Sequence, residues 1–112
     1  MVKKIPFSRS EIAIFFSSAR CLFKNTELTF LTAPSPHPLG RLLVVTPRRV
    51  GSAPVRNKIR RQLKALFHEN NLLAQPIDYA IIIRQQATEL SFAALSSLIL
   101  KAIAKYTNSA HA

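Results

Sequence analysis

Five positive charges and no acidic residue lie between Arg56 and Lys64, within the segment APVRNKIRRQLKALF at positions 53–67. Guanidinium groups hold phosphate oxygens through paired hydrogen bonds, and each phosphate that a cation neutralises releases condensed counterions. Apolar side chains recur at helical spacing in the same segment, namely Val55, Ile59, Leu63 and Leu66. The segment therefore predicts a helix that docks by one face and offers the other to a polyanion such as nucleic acid.

The polar side of this predicted helix is densely cationic. At about 100° per residue, Asn57, Arg60, Arg61 and Lys64 fall roughly opposite the apolar side chains. The positive surface extends to the unpaired N–H groups of the helix N-terminus. The candidate nucleic-acid-binding residues are Arg48, Arg49, Arg56, Asn57, Lys58, Arg60, Arg61 and Lys64. Basic amphipathic helices also bind membranes or calmodulin-like grooves, but this apolar face fits docking on a sheet and lacks tryptophan.

The groups that metal-assisted phosphodiester cleavage needs are scattered along the chain. Such chemistry requires clustered carboxylates or histidines around Mg²⁺ or Zn²⁺. The acids fall one to each predicted element, at Glu11, Glu27, Glu69, Asp78 and Glu89, and the three histidines have no ligand spacing. Cys21 is the only cysteine, which excludes an internal disulfide and a multi-thiolate zinc site. We therefore expect a binding protein with no catalytic residue and no metal site of its own.

Length and charge limit the class of protein. The 112 residues suit a single domain over 1–112, and 16 Lys plus Arg against 5 Asp plus Glu give a formal net charge of +11. Half of the basic residues lie within 41–64, which predicts a localised binding surface. No apolar run approaches the ~20 residues that span a bilayer. The first ten residues lack the apolar stretch of a secretory signal, so we expect a cytoplasmic protein that does not contact a membrane.

The elements that position the basic helix follow from periodicity and turn residues. Ser8 and Glu11 have the spacing of a capping box, which predicts a helix to about Ala19. Residues 27–33 predict the first strand, and 41–46 predict a buried strand that Pro47 ends. The proline-rich stretch between them predicts a loop. Ser52 is the expected N-cap of the basic helix, which should fray near Asn70.

The last part of the chain predicts a strand and a closing helix. Residues 77–84 alternate two largely apolar faces, which favours a central strand. From Ser91, apolar side chains repeat at three and four positions as far as Tyr106, which predicts an amphipathic helix. The core is expected over about 7–106, and the tail at 107–112 is expected to be frayed.

Two stretches carry a resemblance to a known family. RRVGSAPVRNKIRRQLKALFHE, at 48–69, resembles the signature of the protein subunit of bacterial ribonuclease P, and DYAIIIRQQATELSFAAL, at 78–95, resembles the strand, Arg-containing turn and last helix of that family. Lys58 stands where the family usually has arginine. The resemblance implies an α+β fold, a two-layer α/β sandwich of the ribosomal protein S5 domain 2-like type, with a left-handed βαβ crossover.

The same resemblance implies a function. The family protein binds a large catalytic RNA through the basic helix and holds the 5′ leader of precursor tRNA between its first helix and the exposed sheet face, while the RNA uses Mg²⁺ for cleavage. The resemblance places Ile12, Phe16, Phe30 and Arg84 in this leader cleft. The two aromatic rings suit this role because single-stranded bases stack on aromatic rings. The phenylalanines fit a core equally well. The expected partners are the catalytic RNA and precursor tRNA, with no protein partner, and the alternative is a structural ribosomal protein of the same fold.

Overall fold

The computed structural model describes residues 7–110, with side chains as far as residue 105. Within this range the chain forms four strands and three α-helices. In chain order these are α1 Arg9–Ser18, β1 Arg20–Lys24, β2 Leu28–Pro34, β3 Leu42–Val45, α2 Ala53–Glu69, β4 Ile77–Ile83 and α3 Phe92–Ala110. Short 3₁₀ turns at Arg48–Val50 and Gln85–Glu89 precede α2 and α3.

The strands form one mixed sheet in the order β1-β2-β4-β3. The central strands β2 and β4 are antiparallel and place Phe30 opposite Ile81. β3 lies parallel to β4 at the edge, with Val45 opposite Ile82, and α2 makes the connection between these two strands. The α+β class and the central position of 77–83 are therefore as predicted.

The helices α2 and α3 cover one face of the sheet and form the main core there. Phe30 from β2, Tyr79 from β4 and Phe67 from α2 meet in this core, with ring centroids 5.3 to 6.3 Å apart. Leu63 and Ile99 pack against the same cluster from the two helices and are almost fully buried. These contacts hold α2 against the sheet. Truncating one such side chain would leave a cavity and destabilise the fold.

The helix α1 packs on the opposite face through Phe15, which is buried against Ala33 and Ala80. Its N-terminus has the predicted capping box. The backbone N–H of Glu11 donates to the Ser8 hydroxyl oxygen, and the backbone N–H of Ser8 donates to the Glu11 carboxylate, each at 3.2 Å. The helix thus begins where the sequence predicts, and its C-cap is Ala19.

Two expectations about the strands were wrong. Residues 27–33 were predicted as the first strand, but 28–34 is the second, because Arg20–Lys24 forms an edge strand beforehand. The pairing register of this edge strand with β2 shifts between Cys21 and Phe23, and its burial does not alternate regularly. The strand predicted at 41–46 as buried is a half-buried edge strand of four residues, since neighbours hydrogen-bond to it on one side only.

The closing helix is longer than expected. It continues through residues 107–110, which the sequence placed in a frayed tail, and residues 111 and 112 lie outside the described range. No glycine or proline interrupts 107–110, so helix propagation adds one hydrogen bond per residue. The side chain of Tyr106, expected on the apolar face, also lies outside the described residues.

Candidate nucleic-acid interface

The basic helix α2 starts after an extended residue and a tight turn. Ser52 is the N-cap by backbone conformation, and its carbonyl oxygen accepts a hydrogen bond from the Arg56 backbone N–H at 3.0 Å. Its side chain makes no capping hydrogen bond, and Pro54 occupies the first turn. At the other end, the Asn70 side-chain amide donates to the carbonyl oxygen of Leu66 at 2.8 Å. The first-turn N–H groups of α2 therefore lack the side-chain cap that a serine there often supplies.

The docking face of α2 differs by one residue from the predicted face. Ile59, Leu63 and Leu66 are buried as expected, but Val55 keeps 38% of its surface exposed. Phe67, fully buried, completes the face instead. Residues spaced four apart do not lie exactly in line on a helix with 3.6 residues per turn. The buried face therefore turns gradually around α2, away from Val55 at its start and toward Phe67 near its end.

The opposite face of α2 carries cations that no acidic side chain neutralises. Asn57, Lys58, Arg61 and Lys64 are exposed, and Arg60 is half-buried and donates to the Asn57 side-chain oxygen at 3.3 Å. Every ion pair found within residues 7–105 involves Glu11 or Asp78, and none includes a cation of α2. The face is thus available to an external anion, as the sequence predicts.

Three further arginines surround the start of α2. Arg48 and Arg49 are exposed in the 3₁₀ turn that precedes it. Arg56, in the first turn of α2, is half-buried, and its Nε atom is fully buried with no hydrogen-bond partner in the described structure. A buried N–H group without an acceptor is costly, and no group of the described residues offsets that cost at this guanidinium.

The other predicted site lies on the sheet face that α1 only partly covers. Phe16 is 41% exposed on α1, and Ile12 is half-buried one turn earlier. Across the sheet, Thr29, Ile82 and Val45 form a half-buried row in register. Arg84 follows β4, and its guanidinium donates to the Thr29 hydroxyl and the Asn25 carbonyl, each at 3.1 Å. The structure therefore places Arg84 beside Thr29 at the end of this row.

Phe30 was assigned wrongly to this cleft. It is fully buried on the opposite face, between Phe67 and Tyr79. Successive residues of a strand point to opposite faces, so Leu31, and not Phe30, lies on the face that α1 covers. The sequence pattern had suggested both roles for this ring, and the structure shows that it is a core residue.

A polar network that sequence reasoning missed ties α1 to the sheet. The guanidinium of Arg41, only 5% exposed, donates from Nε and Nη2 to the two carboxylate oxygens of Asp78 at 3.2 and 2.8 Å. Its Nη1 donates to Glu11 at 2.8 Å, and His37 Nε2 lies 3.3 Å from the same oxygen of Glu11. A signal existed in the sequence, because an aspartate within an apolar central strand requires a partner.

The network shifts the titration of its members. The backbone N–H of Ser8 and the side chain of Arg41 lower the pKa of Glu11 to about 2, in that order of importance. The hydrogen bonds to Asp78 raise the pKa of Arg41, although burial acts in the opposite direction. Arg41, counted with the basic stretch 41–64, is therefore a neutralised structural residue and not part of the exposed cationic surface.

The described residues contain neither a candidate metal site nor a candidate membrane-spanning helix. No three histidine, cysteine, aspartate or glutamate side chains are grouped so that they could hold a metal ion. Among the helices in that part of the chain, none combines the length and the apolar character that a bilayer crossing requires.

Comparisons with known proteins point to one family. The family model described as Ribonuclease P matches residues 8–107. The chain is 33% identical over 58 residues to the ribonuclease P protein component of Mycoplasma capricolum, which covers 50% of this chain and 53% of that protein. It is 43% identical over 53 residues to the same component of Shouchella clausii, with 46% and 43% covered. The match thus spans about half the length of these relatives.

Solved structures show the same fold. The RNase P protein of Staphylococcus aureus superposes with a TM-score of 0.79 at 17% identity and covers 95% of this chain and 96% of that one. The RNase P protein of Thermotoga maritima gives 0.75 at 20% identity, with 89% and 94% covered. The fold described above is therefore that of these proteins.

Proposed function

The chain belongs to the Ribonuclease P family, and on this basis we propose that it is the protein component of a ribonucleoprotein that removes the 5′ leader of precursor tRNA in the cytoplasm. In this proposal α2 binds the catalytic RNA, and the cleft beside α1 holds the leader. The unneutralised cationic face of α2 is the observation that carries the proposal.

Electrostatics explain why α2 suits an RNA backbone. The apolar contacts of Ile59, Leu63 and Phe67 hold the helix on the sheet, so the backbone that carries the cations is already in place when RNA arrives. Each phosphate that they neutralise releases counterions, which makes affinity steeply dependent on salt. The same charges reduce repulsion between the catalytic RNA and the precursor, which should lower the Mg²⁺ concentration that the complex requires.

The leader site uses a different chemistry. The half-exposed ring of Phe16 offers a stacking surface for an unpaired base, and Ile12 adds apolar contact on the same helix. The row formed by Thr29, Ile82 and Val45 provides a shallow apolar floor, and Arg84 adds a cation at its end. A single-stranded leader has exposed bases and phosphates, so it can use both features.

We assign the chemical step to the partner RNA and its Mg²⁺. Two of the five acids, Glu11 and Asp78, are engaged by Arg41 in the network that holds α1. A carboxylate that is bonded to a buried guanidinium is a poor candidate for metal coordination or for proton transfer. The contribution of the protein is then to affinity and to the orientation of the precursor.

Reconstitution tests this proposal. The purified protein is mixed with the ribonuclease P RNA of the same organism at a low Mg²⁺ concentration at which the RNA alone is inactive, and leader removal from a precursor tRNA is followed. Restored cleavage supports the proposed function. Absence of rescue would favour a structural ribosomal role, and cleavage by the protein without RNA would contradict the assignment of chemistry to the RNA.

A further inference from the structure

A groove separates the first half of α2 from the start of α3, and it shares Lys58 and Arg61 with the cationic face of α2. We call it the α2–α3 groove. It encloses about 340 Å³ between Val55, Lys58 and Gln62 of α2 and Phe92 of α3. A second hollow of about 390 Å³ shares Lys58, Gln62 and Phe92 with the first and adds Arg61 and Glu69. The two hollows together form a surface depression beside the cationic face of α2.

Apolar surface is exposed in this groove. Phe92 is 39% exposed and Val55 38%, and they are two of the four large apolar side chains that are exposed in the described part of the chain. The other two, Ile14 and Phe16, lie on α1 at the opposite face of the sheet. An accessible aromatic ring in a depression with polar surroundings offers a face on which a flat apolar group can pack.

The charge of the groove restricts its occupant. Lys58 and Arg61 line it and form no ion pair within the described residues. Glu69, the one acid among the lining side chains, lies two turns further along α2 than Arg61. An occupant that fits must therefore combine a flat apolar face with negative charge near Lys58 and Arg61.

We propose that the α2–α3 groove receives one unpaired nucleotide of the RNA that α2 binds, an inference that rests on the proposed function. The base stacks on the ring of Phe92, Lys58 and Arg61 hold its phosphate, and the amide of Gln62 hydrogen-bonds a base edge. Bases within a duplex have their faces covered by neighbours, so only a bulged or loop nucleotide can enter.

Substitutions of Phe92 separate this occupant from an apolar peptide segment. In Phe92→Leu the apolar surface remains and the π-face is lost, whereas Phe92→Tyr keeps the ring. We expect Phe92→Leu to weaken binding to in vitro transcribed ribonuclease P RNA by about fivefold or more, and Phe92→Tyr to bind within about twofold of the wild type. Unchanged affinity in Phe92→Leu would overturn the proposal and favour a protein occupant.

The salt dependence of binding gives a second readout. Stacking does not neutralise phosphate, so Phe92→Leu should keep the wild-type slope of log affinity against log salt. Lys58→Gln should reduce the magnitude of that slope by about one. If Phe92→Leu changes the slope instead, the loss comes from a displaced α2 and the stacking assignment is wrong.

Controls distinguish failure of this inference from failure of the proposed function. Ile14→Ala removes an exposed apolar side chain from α1 and should leave affinity for the RNA unchanged, and circular dichroism verifies the fold of each variant. If the wild-type protein binds the RNA and Phe92→Leu binds equally well, only the groove assignment fails. If the wild-type protein shows no specific binding, the proposed function fails as well.

Chemical probing of the RNA identifies the nucleotide. We expect one unpaired base of the ribonuclease P RNA to be protected by the wild-type protein, and to become reactive again in the complex with Phe92→Leu. A protection pattern that is identical for the two proteins, or that involves base-paired nucleotides alone, would contradict a stacked nucleotide in the groove.

Discussion

Arg41 and Asp78 form a bidentate ion pair at the start of the central strand β4, with Nε and Nη2 of the guanidinium 3.2 and 2.8 Å from the two carboxylate oxygens. The Arg41 backbone N–H donates to the same carboxylate at 2.9 Å. The ring of Phe7 lies 4.0 Å from the guanidinium carbon, and Nη1 donates to Glu11 of α1. This pair therefore links the edge strand, the central strand and α1.

Removing one member of this buried pair should be strongly destabilising. Asp78→Ala leaves the guanidinium of Arg41 buried with only Glu11 as an acidic partner, and breaking such pairs typically costs about 3–5 kcal/mol. We expect a loss of that size in the free energy of unfolding, measured by urea denaturation monitored by circular dichroism. Glu89→Ala, which removes an exposed acid, is the matched control and should stay within about 0.5 kcal/mol of the wild type. A similar loss in both variants would show that net charge, and not the pair, is responsible.

The lowered pKa of Glu11 predicts a pH dependence of stability. Its pKa falls from 4.5 to about 2 in the folded protein, because the Ser8 backbone N–H and Arg41 stabilise the carboxylate. A carboxyl whose folded pKa is depressed contributes stability that is complete above the unfolded pKa and is lost as the pH falls through the folded pKa. The advantage of the wild type over Glu11→Gln should therefore be constant above about pH 4.5 and should shrink toward pH 2.

The pH dependence is measured from the urea midpoints of the wild type and Glu11→Gln between pH 7 and pH 2. Glutamine can still accept the Ser8 hydrogen bond of the capping box, so the comparison isolates the charge. Two curves that run parallel over the whole range would mean that the Glu11 carboxylate does not titrate as described.

The sequence predicted best the elements whose periodicity is strong and whose partners are local. The basic helix and the strand at 77–83 have clear apolar patterns, and the capping box at Ser8 is a contact over three residues. Arg20–Lys24 was missed because its pattern is short and irregular, and its strand structure comes from pairing with β2. Local patterns do not report such tertiary pairing.

The candidate site residues also divide into those that local sequence patterns predicted and those that depend on tertiary contacts. The cations of α2 were predictable, since their exposure follows from the helical period. The burial of Phe30 and the neutralisation of Arg41 depend on which sheet face each helix covers and on a pairing of residues 37 positions apart. Neither the choice of face nor a long-range ion pair is encoded in the spacing of a segment.

Removing positive charge from α2 should weaken RNA binding and reduce its dependence on salt. Arg60→Ala combined with Arg61→Ala removes two cations from the exposed face, so RNA affinity should fall and the salt slope should decrease in magnitude by about two. Filter binding to the ribonuclease P RNA at several salt concentrations measures both quantities. Lys101→Ala combined with Lys105→Ala removes the same charge from exposed positions of α3 and should change the slope less. Equal effects of the two pairs would indicate that net charge alone, and not the α2 surface, binds RNA.

Substitutions of two phenylalanines on opposite faces of the sheet should distinguish a binding residue from a structural one by their effect on stability. Phe30 is fully buried between Phe67 and Tyr79, so Phe30→Ala should lower the free energy of unfolding by about 3–5 kcal/mol. Phe16 is 41% exposed on α1, so Phe16→Ala should cost much less. Urea denaturation measures both values.

Substitution of Phe16 should also weaken leader recognition. The leader contribution is the ratio of the affinities of the reconstituted complex for precursor tRNA and for mature tRNA without a leader. Loss of one base stack reduces an affinity by about 1–3 kcal/mol, so Phe16→Ala should lower this ratio by roughly 5- to 150-fold. Phe16→Tyr keeps the ring and should preserve the ratio. If Phe16→Ala binds precursor and mature tRNA with the wild-type ratio while remaining folded, the leader does not contact this ring, and the floor formed by Ile82 and Val45 becomes the next region to test.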